Sequence, residues 1–403
     1  MIVGCGDLTI LLLGLGFHCF LFRKRKTASQ PWQAIAQRFC SIPIYLTDGL
    51  QEIADKITEN GCNRVILVYD RALDDKLVDE LGTIINKRVL CSKIGVSIDE
   101  NTKNLDMVKR IIENILEYKA NRKTIIVAIG GGVVGNVVGM VAGLAFRGIP
   151  LVHIPTTIVA ATDSILSLKQ AVNTKYGKNL AGLYYCPNAV LMSNIFFKTL
   201  PMREYHAGLA ETVKNLLAII PVEIPNFMNR IKELSYSFED LKYIFEISLE
   251  AKQKVLINDK YEKKSGLVLE YGHTIGHAIE VVTEGKVRHG EAISFGMLVA
   301  AEISNELGFL NNEEVEMHYE LLKMIDVYKM FYLFKNCAME EVINIMRYDN
   351  KRTKIENNKI SLVLLKKLGE CYSNDYASLL EIDEELIFDK MNYVMRKLSK
   401  YIN

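Results

Sequence analysis

Three of the seven histidines fall within seventeen residues: His273 and His277 in Gly266-Leu-Val-Leu-Glu-Tyr-Gly-His-Thr-Ile-Gly-His-Ala-Ile-Glu280, and His289 in Arg288-His-Gly-Glu291. Each stands beside glycine and near carboxylates, the composition from which a divalent metal site is built. His273 and His277 are spaced i, i+4, so a helix would place both on one face, as HExxH metal sites do. The residue after His273 is threonine, so the general base of a metalloprotease is missing. At this level all three histidines are candidate ligands. The best distant carboxylate is Glu211, which interrupts the small, apolar helix start Ala207-Gly-Leu-Ala-Glu-Thr-Val-Lys214.

A second chemistry is written in Gly130-Gly-Gly-Val-Val-Gly135. It contains GxGxxG after an apolar strand-like run, a pattern whose backbone N–H groups cradle a pyrophosphate at a helix start. The acidic residue expected about 20 positions later is absent, and a tight strand-to-helix turn explains the glycines equally well. Pro155-Thr-Thr157 adds two hydroxyls at the next strand end, and the pair together favours a dinucleotide. Arg147, Lys169, Lys178, Lys214, Lys252 and Lys351 each sit among glycine, asparagine or apolar residues, as cations that receive phosphate do.

These residues need two kinds of scaffold. From residue 40 to about 200, apolar runs such as Arg64–Tyr69, Thr124–Ala128 and Leu151–Ile154 alternate with amphipathic stretches, the signature of a parallel sheet wrapped by helices. After Pro201 glycine thins out, and Glu211–Ile220, Leu241–Leu256, Gly276–Val282 and Ile293–Leu307 carry helical spacing. At 403 residues two domains are expected, 31–200 and 201–403, with 1–30 an extension. A formal net charge of +1 gives no basic excess for nucleic acid. The eight cysteines show no CxxC pair and read as reduced thiols of a cytoplasmic protein. Leu8–Phe22 carries no formal charge and is followed by Arg23-Lys-Arg-Lys26. It is shorter than the roughly 20 residues that cross a bilayer, and the charges follow the run where an export signal has them first. Residues 1–30 are therefore expected to be dispensable for the fold, with membrane contact through residues 8–26 the alternative.

In combination these motifs resemble the sugar phosphate cyclases, the dehydroquinate synthase-like family, over essentially the whole chain after about residue 40. The resemblance is carried by Gly130–Gly135, Ala145-Phe-Arg-Gly148, Pro155–Thr157, Asp163-Ser164, Gly177-Lys-Asn179, Ala207–Glu211 with Lys214, Gly272-His-Thr-Ile-Gly-His277 and His289-Gly-Glu291. It implies an α/β fold with an N-terminal Rossmann-like NAD-binding domain and a C-terminal, mainly α-helical metal-binding domain. It implies a divalent ion, Co²⁺ or Zn²⁺, on Glu211, His273 and His289, with His277 turned to substrate. It assigns NAD contacts to Asp70, Glu100, Lys103, Gly131, Gly132, Val133, Val134, Gly135, Asn136, Thr156, Thr157, Lys178 and Asn179. Lys169 and Glu270 become the catalytic candidates. Arg147, Asp163, Lys214, Lys252, His277 and Lys351 become substrate contacts, Arg147 reaching across a homodimer.

Departures from the family pattern narrow the substrate. The dehydroquinate synthases carry arginine and asparagine seven and three residues before the first histidine of GHTxGH, to hold a carboxylate. This chain has Gly266 and Glu270 there, and Glu270 would repel a substrate carboxylate. Ser167-Leu-Lys-Gln-Ala-Val-Asn173, Asn136, Tyr261-Glu-Lys-Lys264 and Asp349-Asn-Lys-Arg352 depart in the same direction. The expected reaction is conversion of the phosphate of a neutral sugar ring, glucose 6-phosphate, into a carbocycle with release of phosphate and recycling of NAD. Its product is expected to enter aminocyclitol antibiotic synthesis. The alternatives are 3-dehydroquinate synthase or another cyclase of seven-carbon sugar phosphates, and a catalytically silent NAD-binding or membrane-associated scaffold.

Overall fold

The computed structural model describes residues 4–5, 8–10, 21–22, 32–37, 40–231, 237–259, 261–336, 338–347, 358–373 and 379–401. Of the N-terminal apolar run, β2 (Leu8–Ile10) and β3 (Leu21–Phe22) pair antiparallel in a small sheet with β1 (Gly4–Cys5), while residues 11–20 and 23–31 lie outside the described residues. Among the described residues no helix is long and apolar enough to cross a membrane.

The N-terminal half alternates strand and helix. In order it comprises β4 (Trp32–Gln37), β5 (Cys40–Thr47), α1 (Leu50–Thr58), β6 (Arg64–Asp70), α2 (Asp75–Asn86), β7 (Leu90–Val96), α3 (Leu105–Glu117), β8 (Thr124–Gly130), α4 (Gly132–Leu144), β9 (Leu151–Pro155) and α5 (Ile158–Thr162). The β10–β11 hairpin (Lys169–Thr174, Gly177–Tyr184) and β12 (Ala189–Ser193) complete it. The main sheet runs β4-β5-β12-β9-β8-β6-β7, parallel except for β4 at its edge. Unbroken apolar runs make such strands because both faces are covered. Val65 and Leu67 join a core with residues of α1 and α2, whereas their neighbours Ile66 and Val68 join one with residues of α3 and α4. The chain moves outward from β6 to β7, then returns to lay β8 on the other side of β6. The loops after β6 and β8 thus diverge, and ligands of open α/β sheets bind in the crevice this creates.

The C-terminal half contains α6 (Met202–Ala218), α7 (Ile224–Arg230), α8 (Phe238–Leu256), α9 (His273–Val282), α10 (His289–Glu306), α11 (Asn312–Met324), α12 (Met339–Met346) and α13 (Glu384–Leu398). Every residue of α10 from Gly290 to Ser304 is buried, so this helix is the axis on which α6, α9, α11 and α13 pack. The helix expected over Glu211–Ile220 starts earlier, at Met202 behind Pro201, because the polar residues Arg203, Glu204 and His206 conceal its first turns. The sequence did not announce the short antiparallel pairs β13 (Lys359–Leu362) with β16 (Leu380–Asp383) and β14 (Leu365–Lys367) with β15 (Glu370–Cys371), which lack a clear alternation. Cys62, Cys91 and Cys371 are free thiols as expected, but Cys186 is disulfide-bonded. Cysteine spacing cannot report such a pairing, which depends on proximity in the fold.

Two glycines let the helices meet. A Cβ on Gly290 would stand 1.7 Å from the carbonyl oxygen of Ala207, so α6 and α10 touch backbone to backbone there. Gly272 has φ +79°, in the left-handed region, and a Cβ on it would stand 2.7 Å from the Ile293 carbonyl oxygen. Replacing Gly290 by Ala is therefore expected to force the two helices apart and destabilise the protein by about 3 kcal/mol, the upper range for overpacking. A lowered midpoint in urea unfolding checks this; an unchanged midpoint would show that the close approach is not obligatory.

Candidate active site

Glu211 lies in the middle of α6 with no accessible surface, while His273 and His289 open α9 and α10. The Oε1 atom of Glu211 is 3.0 Å from His289 Nε2 and 3.4 Å from His273 Nε2. The tautomers follow from the far side of each ring. His273 Nδ1 lies 3.2 Å from the Tyr271 carbonyl, which can only accept, so Nδ1 carries the hydrogen and Nε2 turns its lone pair inward. His289 Nδ1 likewise donates to Glu280 Oε2 at 3.1 Å. Two imidazole lone pairs and a carboxylate oxygen therefore converge, each ligand atom within 4.8 Å of the others. Three acceptors facing one another fit a divalent cation, and one carboxylate with two neutral imidazoles leaves it coordination positions to spare.

The charges around this point are balanced locally. Burial alone would raise the pKa of Glu211, but Lys214 and the two histidines outweigh it and hold the carboxyl well below its ordinary range. Lys214, itself fully buried, bonds Glu211 Oε2 at 2.6 Å and donates to the Leu269 carbonyl at 2.7 Å. Burial disfavours a charge on His289, yet Glu280 and Glu211 hold its imidazole well above the usual value, so without a cation its Nε2 attracts a proton at the place a divalent ion would take. His277 is beside both ligand candidates, its ring centroid 5.2 Å from that of His273 and 5.8 Å from that of His289. Two residues missed in the sequence complete the frame. Arg203 on α6 grips Glu291 on α10 through two bonds of 2.7 and 2.8 Å, and Glu291 also caps α10 by accepting from the Arg288 amide. Glu280 orients His289; its position seven residues after His273 on one helix was the available signal.

A cluster of cations adjoins the candidate metal ligands. Lys252 donates to Asp163 Oδ1 at 2.7 Å and to its carbonyl at 2.8 Å, and Lys214 Nζ lies 3.9 Å from the same carboxylate. Lys169 contacts Glu262 Oε2 at 2.5 Å, and Ser167 Oγ donates to Glu262 Oε1 at 3.3 Å. Burial would lower the Lys169 pKa, but Glu262 and then Glu270 raise it, so the group is an ammonium at neutral pH. Gly266 gains a structural meaning here. A Cβ on it would stand 3.0 Å from Glu262 Cβ and from Asp259 Oδ2, so the missing side chain makes room for the partner of Lys169.

The dinucleotide candidates gather at the strand ends. Asp70 closes β6 and accepts from the Ala72 amide, and the glycine turn closes β8. The Thr156 amide donates to the Gly130 carbonyl, fastening the turn to the end of β9. A Cβ on Gly132 would stand 2.7 Å from Ser164 Oγ, a buried hydroxyl without a hydrogen-bond partner among the described residues. The amide of Gly135 is used on the Gly131 carbonyl, which leaves Gly132, Val133 and Val134 as first-turn donors. Thr157 caps α5 by accepting from Ala160 N, and Asn136 ties Gly132 O to the Ala171 amide. Buried Lys103 donates to Asn179 Oδ1 at 2.5 Å, and Glu100 accepts from Asn173. This set of backbone donors, cations and acceptors fits a dinucleotide. Two candidates stand apart. Arg147 is exposed just beyond the C-terminus of α4, roughly 20 Å along that helix from the glycine turn. Lys351, with Asp349–Arg352, lies outside the described residues.

Comparison with known proteins gives this geometry relatives. Residues 93–207 match the 3-dehydroquinate synthase N-terminal family and residues 208–352 the 3-dehydroquinate synthase C-terminal family. The 2-deoxy-scyllo-inosose synthase of Micromonospora echinospora is 38% identical over 353 residues, 87% of this chain and 88% of its own. That of Streptomyces fradiae is 40% identical over 358 residues, 88% of this chain and 83% of its own. A crystal structure of 2-deoxy-scyllo-inosose synthase complexed with carbaglucose-6-phosphate, NAD+ and Co²⁺ superposes with a TM-score of 0.81 at 33% identity, covering 91% of this chain and all of the other. Matched across both halves and over most of its length, the chain belongs to the 3-dehydroquinate synthase-like family of sugar phosphate cyclases.

Proposed function

We propose that the chain converts glucose 6-phosphate into 2-deoxy-scyllo-inosose and phosphate, with NAD and one divalent ion, Co²⁺ or Zn²⁺, as cofactors. The observation that carries this reading is the Gly266–Glu262–Lys169 arrangement beside Glu270, which fills with carboxylates the place where a carboxylated substrate would need cations. It agrees with the activity of the relatives and with the carbaglucose-6-phosphate, NAD+ and Co²⁺ held by the matched structure. Residues 31–200 form the dinucleotide-binding domain and 201–403 the metal- and substrate-binding domain. The enzyme works in the cytoplasm, where sugar phosphates and NAD are found, and supplies an aminocyclitol antibiotic precursor.

When bound, NAD supplies a reversible hydride acceptor for the C4 hydroxyl, and the metal a Lewis acid for the sugar oxygens. Glu211, His273 and His289 would hold the metal, and Lys214 neutralises the outer oxygen of Glu211. Lys252 and Lys214, aligned by Asp163, present positive charge to the phosphate. Lys169 Nζ holds a proton and a positive charge for the departing phosphate, kept in place by Glu262. Glu270 accepts from a ring hydroxyl and acts as base, and His277 steadies the sugar from the ligand side. Arg147 is exposed at the far end of α4 from the glycine turn, so its contribution requires a second copy and a homodimer. The paired left-handed φ angles of Phe146 and Arg147, +54° and +65°, support a functional turn there, since such strain persists where a site uses it.

Purified protein with NAD and Co²⁺ or Zn²⁺ is expected to release phosphate from glucose 6-phosphate, and not from sedoheptulose 7-phosphate or the carboxylated seven-carbon precursor of dehydroquinate. Release from the carboxylated precursor alone would overturn the reading. A second expectation concerns Lys169. In Glu262→Gln the strongest interaction that raises its pKa is gone while burial still lowers it, so the ammonium loses its proton at lower pH. The basic limb of the kcat profile should then move to lower pH, with activity near pH 6 least affected. A basic limb unmoved from wild type would remove Lys169 from the proton-carrying role.

A further inference from the structure

Glu280 stands near the end of α9, with 13% of its side chain exposed, and its two oxygens have different partners. Oε2 accepts from His289 Nδ1 at 3.1 Å. Oε1 faces Lys178 Nζ at 3.6 Å. Lys178 belongs to β11 in the N-terminal half, next to Asn179, which accepts from buried Lys103. One carboxylate thus spans from a metal ligand to the dinucleotide half of the protein. Glu280, His277 and His289 also bring ligand atoms within 4.8 Å of one another. A second ion there would need the Nδ1 of His289 while its Nε2 serves the first. That would strip the ring of both hydrogens, and the Nδ1–H bond to Glu280 is the neutral alternative.

We infer that Glu280 is a positioning residue that makes metal binding and dinucleotide binding reinforce each other. This rests on the metal and dinucleotide assignments proposed above. A carboxylate shared between an ammonium and an imidazole N–H gives each only part of its basicity. When the dinucleotide engages Lys178, Glu280 turns more fully to His289 and strengthens it as a ligand. When a metal engages His289 Nε2, the Nδ1 hydrogen becomes more acidic, draws Glu280 towards it and releases Lys178 for the dinucleotide. The two effects are one coupling free energy and must be equal in size.

The test titrates chelator-treated protein with Co²⁺, followed by its visible absorption, with and without saturating NAD+, in wild type, Glu280→Gln and Lys178→Met. Wild type should bind one equivalent, and NAD+ should tighten Co²⁺ binding about 5-fold, the lower end of ordinary coupling. Glu280→Gln, which keeps an acceptor but no charge, should bind Co²⁺ about 10-fold more weakly, as loss of an outer partner does, and show no NAD+ effect. Lys178→Met, which frees Glu280 as the dinucleotide does, should bind Co²⁺ about 5-fold more tightly than wild type in the absence of NAD+ and show no further NAD+ effect, a result that does not depend on how well the Glu280 variant folds. The proposal is overturned if Glu280→Gln binds Co²⁺ with wild-type affinity, if either variant keeps the coupling, or if wild type shows none. Two Co²⁺ equivalents in wild type would make Glu280 a ligand and equally overturn it. Failure of wild type to bind any Co²⁺ is a separate result, which sinks the metal-centre reading itself.

Discussion

The interaction on which the C-terminal half depends is the burial of Glu211. A carboxylate without accessible surface costs several kcal/mol unless its charge is met in place. Three groups converge on it: Lys214 meets one oxygen directly, and the imidazoles of His273 and His289 face the other, meeting its charge through the cation or proton they share with it. These belong to three helices, so α6, α9 and α10 must approach more closely than ordinary side chains allow. Gly290 and Gly272 supply that approach. The bidentate Arg203–Glu291 pair then fixes α6 against the start of α10, three residues into which a charge-assisted contact has most leverage on His289. The site and the core of this half are one construction.

The same demand reaches outward through hydrogen bonds. His273 is aimed by the Tyr271 carbonyl, so Tyr271 must itself be held. Its ring is fully buried, and its hydroxyl is 2.9 Å from His318 Nε2, while His318 Nδ1 donates to the Glu314 carbonyl at 2.7 Å. The carbonyl fixes the tautomer, so the tyrosine hydroxyl donates to Nε2. Burial lowers the His318 pKa to about 4, which keeps this ring neutral and the tautomer constant at physiological pH. A buried histidine outside the candidate metal centre thus secures one within it, and the two could not be told apart by residue type alone.

That limit marks how far the sequence could be read. The parallel sheet was legible because a covered strand must be continuously apolar, and Arg64–Tyr69, Thr124–Ala128 and Leu151–Ile154 lie within β6, β8 and β9. The gathering of the histidines was legible in part, since glycine beside histidine leaves few other uses. Periodicity alone left His277 equal to His273 and His289, and only the resemblance separated them. The roles of Glu262 and Glu280 could not be read because their partners, Lys169 and Lys178, are supplied by another half of the chain. Sequence spacing carries no record of such contacts. Lys169 was marked by its unusual neighbours, but its charge state follows from Glu262, 93 residues away.

Substrate choice can be argued from the same pair. The Lys169 ammonium is partly exposed whereas Glu262 is buried, so removing the lysine would strand the carboxylate in a poorly hydrated place. Glu262 sits against Gly266 so closely that a side chain at 266 would press on it, its Cβ standing 3.0 Å from that of Glu262. An arginine there, of the kind that receives a carboxylate, would compete with Lys169 for Glu262 or expel it. A change at position 266 therefore acts on Glu262 and Lys169 as well. Gly266, Glu262 and Lys169 form a unit, and Glu270, close enough to raise the Lys169 pKa, adds a second negative charge on the same cation. A pocket arranged in this way already holds its carboxylates within the protein, and the ring it fits brings hydroxyls.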